Sequence, residues 1–345
     1  MFEGKPDGAM RGGSRVIRRL ILCACAAGGF AAMAAVLHQA LPLQVAEVTP
    51  KLNYLAAHRA DFDTVFIGSS RIYHGVSPKA FDAAMAAAGR PTRSFNLGID
   101  GLMPPESLRM TRRILAMQPP RLRTIFLEVA SAQHVPDLNQ LTVRDVYSQD
   151  TESVIHGLKQ ALLDFQSTPR EARWQRASGD VSRSIVIFAR NELNIGRLAP
   201  EPDATEEPQH FGTMMLGPDA DGYIPALNTV SKASRLKIET QMDLIRKGMA
   251  KERPRDEANE DGYANIRDLL KTHGVELILI TAPVLLRDYH ARVDAPPGAR
   301  LLAFDEPARL PDLYEPGHRS DSDHLNYLGA RLFSKDLADS YLSAK

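Results

Sequence analysis

A serine hydroxyl becomes a competent nucleophile when a neighbouring base takes its proton, and an imidazole does this best when a carboxylate fixes its tautomer. The sequence supplies these groups at two distant places. Ser70 closes the run Gly68-Ser69-Ser70 directly after an apolar segment, where a strand would end and a turn would present the side chain at a rim. Far downstream, Asp321-Ser322-Asp323-His324 sets a carboxylate three residues before a histidine, a spacing that one turn closes into contact. The chemistry implied is acyl transfer through a serine ester: Ser70 attacks, His324 moves the proton, Asp321 orients the ring. Asp321, Asp323, His324 and His318 also admit a metal-ligand reading, although no second carboxylate and histidine cluster at matching spacing joins them. Arg71 and His74 lie close to Ser70 in sequence and are candidates to line the site, although an exposed loop charge is the more common reading of such residues. Trp174, the sole tryptophan, reads as packing.

These residues need elements to hold them. Asp63 to Ile67 reads as a buried strand, and Ser77-Pro78 opens a helix that runs to Gly89, serine as N-cap and proline at the first helical position. Arg93 to Leu97 is a second strand, followed by a loop with Gly98 and Gly101 and a helix from about Pro105 to Met117; Arg123 to Val129 is a third strand. From about 132 to 228 the rhythm breaks, and we expect an insertion over the sheet, with an amphipathic helix at Asp150 to Phe165 and an acidic loop at Glu201 to Pro208. Helices at Val230 to Lys251 and Tyr263 to His273, strands at Val275 to Thr281 and Leu301 to Phe304, and a helix from Asn326 to Tyr341 then resume the pattern. Strand, helix, strand in repetition implies α/β architecture with a parallel sheet, whose ligands bind beyond the carboxyl ends of the strands.

Gly68-Ser69-Ser70 and Asp321 to His324 resemble the Gly-Asp-Ser and terminal Asp-x-x-His blocks of the SGNH (GDSL-like) hydrolase superfamily. Asn96-Leu97-Gly98-Ile99-Asp100-Gly101 is similar to its second block. The resemblance implies a three-layer, flavodoxin-like fold over 63–345 and an oxyanion hole made by the Ser70 and Gly101 N–H groups. The third block, Gly-x-Asn-Asp, is replaced by Leu127-Glu128-Val129-Ala130-Ser131, so its side-chain donor is missing and Ser131 or a residue of the insertion is left as a substitute. That departure, with an N-terminal anchor, resembles the membrane-anchored branch among teichoic-acid D-alanylation and envelope-polysaccharide O-acetylation proteins. It implies an envelope polysaccharide or acylated glycan as substrate and a membrane-bound O-acyltransferase as partner, with no cofactor. A non-catalytic accessory subunit that holds a polymer or such a transferase is the alternative.

Composition narrows the classes further. Among 345 residues, 42 basic side chains balance 42 acidic ones, so no basic excess draws the chain to nucleic acid. Both cysteines, Cys23 and Cys25, lie in one N-terminal apolar stretch, which excludes a disulfide framework or thiolate zinc site in the body. No charge occurs from Leu20 to Leu37, and a helix over residues 20–43 would be about 36 Å long, enough to cross a bilayer. Lys5, Arg11, Arg15, Arg18 and Arg19 precede it, so we expect a cytoplasmic tail over 1–19, an uncleaved anchor over 20–43, a juxtamembrane segment over 44–62 and an extracytoplasmic body. A cleaved signal peptide is the rival, since Ala31 to Ala35 offers small residues to a peptidase.

Overall fold

The computed structural model describes residues 9–40, 45–102, 104, 106–129, 214–228, 230–247, 257–285 and 293–343, with isolated positions at 144, 147, 154, 155, 182, 185–189 and 191. The helix expected at Asp150 to Phe165, apart from residues 154 and 155, lies outside these, as do Ser131, Trp174 and the loop at Glu201 to Pro208.

Helix α1 (Ala9–Ala40) carries the apolar run, and within it the 23 residues Arg15–Leu37 form a stretch long and apolar enough to span a membrane. It begins inside the segment expected to be a tail. The expected juxtamembrane segment is folded: α2 (Thr49–Ala57) puts Val48, Leu52 and Leu55 into the core at helical spacing. Then come β1 (Thr64–Gly68), the single turn α3 (Ser70–Tyr73), α4 (Pro78–Ala87), β2 (Ser94–Gly98), α5 (Glu106–Ala116) and β3 (Thr124–Glu128). Ser77 caps α4 by accepting the Ala80 N–H, as its sequence position implies. After 214–228 follow α6 (Lys232–Arg246), α7 (Glu257–Thr272), β4 (Glu276–Thr281), β5 (Arg300–Ala303) and α8 (Tyr327–Ser343).

The five strands are all parallel, in the order β2-β1-β3-β4-β5. Alternation along each strand makes two cores. Val65, Ile67, Ile125, Leu127, Leu277 and Leu279 face α2, α5 and α7, whereas Phe66, Phe126, Ile278 and Ile280 face α4, α6 and α8. With α4 on one face and α5 on the other, the winding reverses between β1 and β3. The carboxyl ends of those two strands are the crevice where a doubly wound sheet binds ligands.

Candidate active site

β1 ends at that crevice with Gly68, and the chain turns at once into α3. Gly68 is required by close approach: a Cβ there would lie 2.3 Å from Ile72 Cγ1 and 2.6 Å from Glu128 Oε2. Ser69 caps the turn by accepting the Arg71 N–H, so Ser70 becomes the first helical residue at the rim. Its Oγ lies 2.8 Å from His324 Nε2, across 254 residues of sequence. The other ring nitrogen, Nδ1, is 2.9 and 3.0 Å from the two Asp321 carboxylate oxygens. An Nδ1–H donated to Asp321 leaves Nε2 free to accept the serine proton.

Asp321 and His324 meet because their loop is closed tightly. A single antiparallel bridge joins Arg319 to Leu325, and the Ser320 N–H donates to His324 O. The fully buried Arg319 guanidinium donates to Asp321 O at 3.0 Å, Ser322 O at 2.8 Å, Leu313 O at 3.1 Å and Pro283 O at 3.3 Å. Asn326 then starts α8 by accepting the Leu328 and Gly329 N–H groups. Asp321 Oδ1 also accepts the N–H groups of Asp323 and His324. Burial opposes its charge, but these bonds and the His324 ring carry the Asp321 pKa down to about 2, so the carboxylate stays ionised. The His324 and Asp321 side chains keep 30% and 45% of their exposure, and Ser70 is half-buried.

A second buried charge supports the Ser69-Ser70 turn from below. Glu128, at the end of β3 and 1% exposed, accepts the Ser69 N–H at 2.6 Å and the Arg71 Nε–H at 2.7 Å. Arg71 is therefore neither a rim residue nor an exposed loop charge: its side chain is 9% exposed and drawn under the turn by this carboxylate. Asn96 ties β2 to the same turn, donating to Ile72 O and Val76 O while accepting the Gly98 N–H. Gly98 is glycine because a Cβ would lie 2.3 Å from Tyr73 N.

Gly101 sits in the turn that follows, at φ +66°, a left-handed conformation that favours glycine. Among the described residues neither its N–H nor that of Ser70 has a hydrogen-bond acceptor. His74 stands at the rim, its Nδ1 2.8 Å from Ile224 O and its Nε2 3.5 Å from Asp100 Oδ1. Burial opposes its protonation, but Asp100 and the Ile224 carbonyl outweigh that and raise its pKa. His318 is turned away, with Nδ1 on Asp312 O. Among the described residues no group of three or more His, Cys, Asp or Glu is placed to hold a metal ion.

The arrangement thus brings Ser70, His324 and Asp321 together at the switch point and places Gly101 on the neighbouring loop. Glu128 and Arg319 were not foreseen as site residues. Glu128 had a signal, a lone carboxylate ending the apolar strand Thr124–Glu128; Arg319 had none that separates it from a surface arginine. Compared with protein-family models, curated proteins and solved structures, the chain matches none.

Proposed function

We propose that the chain is a serine esterase or O-acyltransferase of the SGNH kind, anchored by α1 in the cytoplasmic membrane and acting on an acylated cell-envelope glycan outside it. The observation that carries this reading is the Ser70–His324–Asp321 hydrogen-bond chain at the carboxyl end of β1. Ser70 Oγ adds to the acyl carbonyl while its proton passes to His324 Nε2, and the ionised Asp321 stabilises the imidazolium. The Ser70 and Gly101 N–H groups are the donors for the oxyanion. Collapse breaks the ester C–O bond, and the leaving alkoxide takes the proton back from His324. Water or a sugar hydroxyl, deprotonated by the same ring, then attacks the acyl-serine and regenerates Ser70.

One observation favours the accessory reading. Glu128, in the stretch that replaces the third block, is an acceptor committed to Ser69 and Arg71, and so supplies no donor for the absent asparagine. An accessory subunit would hold the polymer or a membrane-bound O-acyltransferase in the same crevice. The acyl content of the envelope polymer in a deletion strain distinguishes the two. The catalytic reading requires that Ser70→Ala fails to restore it; full restoration would establish the accessory reading.

A further inference from the structure

Lys51 stands on α2, close after the apolar span, and its side chain is completely buried. Its Nζ donates to Gly98 O at 2.6 Å, Gly222 O at 2.8 Å and Asn96 O at 3.4 Å, and lies 3.6 Å from the centre of the Tyr73 ring. Three carbonyls and a π face are all electron-rich, and three N–H donors are what the ammonium form has. The acceptors come from different parts of the site. Tyr73 shares α3 with Ser70, whereas Asn96 and Gly98 lead into Ile99-Asp100-Gly101. Gly222 belongs to the segment that returns over β2, where φ is +84° and a Cβ would lie 2.0 Å from Asn96 O. One buried cation therefore joins α2, α3, the end of β2 and this returning segment.

We propose that Lys51 is a positioning residue that fastens the loop carrying Gly101 to the nucleophile turn and to the helix beside the apolar span. The proposal rests on the hydrolase reading of Ser70. Among the described residues, the side chains that act on the ammonium are Tyr73 and His74 from α3 and its end, Asp100 from the Gly101 loop, and Asp221 from the returning segment. Burial lowers the Lys51 pKa well below its ordinary value, with Asp100 and Asp221 opposing, and loss of its proton with rising pH removes one of the three donors.

The test uses the full chain in detergent micelles and a fluorophosphonate that labels activated serines. Lys51→Met is expected to lower the maximal labelling rate about 10- to 100-fold while the half-saturating concentration stays within about twofold, because the loop donors act on the oxyanion rather than on binding. Lys51→Gln, with two donors, should fall between. Amide hydrogen exchange should quicken at Ile99–Leu102 and stay unchanged in β3. The pH profile of wild-type labelling should carry a falling limb with rising pH that Lys51→Met lacks. An unchanged labelling rate, unchanged protection at Ile99–Leu102, or an equal loss of protection in β3 overturns the inference. If Lys51→Met does not fold, the labelling rate and the exchange at residues 99–102 in Lys51→Gln carry the same decision. A wild-type chain that never labels overturns the hydrolase reading and this inference with it, whereas a labelled wild type with an indifferent Lys51 overturns the inference alone.

Discussion

Replacing Glu128 by Gln keeps the shape under the nucleophile turn and one acceptor for the Ser69 N–H, but it strips the charge that faces Arg71 at 2.7 Å. The two side chains are 1% and 9% exposed, so water cannot replace the lost carboxylate, and Asp323 remains near the arginine as a lesser compensation. Breaking such a pair from one side costs about 3–5 kcal/mol, and the amide that remains brings the expected loss to about 3 kcal/mol. Arg71→Met should cost a similar amount by stranding the carboxylate. The double variant removes both charges, so its loss should be about that of one single variant, giving a coupling energy of at least about 2 kcal/mol. The assay is denaturant unfolding of the four proteins under one set of conditions, read by circular dichroism, with the labelling rate of Ser70 measured alongside. Because an amide has one oxygen for the two donors that Glu128 holds, the Ser69 N–H and the Arg71 Nε–H, the labelling rate of folded Glu128→Gln should drop about tenfold through displacement of the turn. Additive losses in the double variant, or a single loss below about 1 kcal/mol, would refute the assignment of Glu128 and Arg71 as a buried pair beneath the site.

Gly98→Ala pushes a methyl group to within 2.3 Å of Tyr73 N, so it should lower stability by about 2–3 kcal/mol and slow labelling, with thermal melting as the check. For Asp321 the folded pKa lies below the ordinary one, so its stabilisation is complete above about pH 4 and fades as pH falls towards 2. Screening at a side chain 45% exposed reduces the roughly two-unit shift to about 1 kcal/mol; the stability gap between wild type and Asp321→Asn should shrink by that much from pH 5 to pH 2. Asp221 runs the other way: burial lifts its pKa to about 6, so its charge destabilises the fold as pH rises through that value. Asp221→Asn should accordingly melt higher at pH 7 by about 1–2 kcal/mol and match wild type near pH 4. A reporter active only outside the cytoplasm, fused after Lys345, should be active while the chain stays with membranes after a high-salt wash. Release of a soluble mature chain would show cleavage instead.

Much of this architecture was legible in the sequence because the decisive signals are local. Short apolar runs such as Thr64–Gly68 and Glu276–Thr281 fixed the strands to within a residue or two, and Ser77-Pro78 marked the start of α4. The Asp321 to His324 spacing is also local, and its contact with Ser70 follows once both stand at carboxyl ends of a parallel sheet. Helix α2 carried a helical stripe at Val48, Leu52 and Leu55, yet its shortness and its place beside the span made it read as a connector. The buried charges were not legible. Lys51 and Arg319 are satisfied by backbone carbonyls, which every residue owns, so no residue type elsewhere in the chain announces their partners. The burial of Arg71 was illegible for a related reason: its place beside Ser70 in sequence suggested the rim or solvent, but its electrostatic partner lies 57 residues away on β3.

The central claim is that His324 and Asp321 make the Ser70 hydroxyl a nucleophile. Intact-mass and peptide mass spectrometry of the full chain after fluorophosphonate treatment tests it most directly. The account predicts a single adduct on the peptide containing Ser70, absent in Ser70→Ala and nearly absent in His324→Ala, with both variants still folded. An adduct on another serine, or undiminished labelling of Ser70 in His324→Ala, would contradict it.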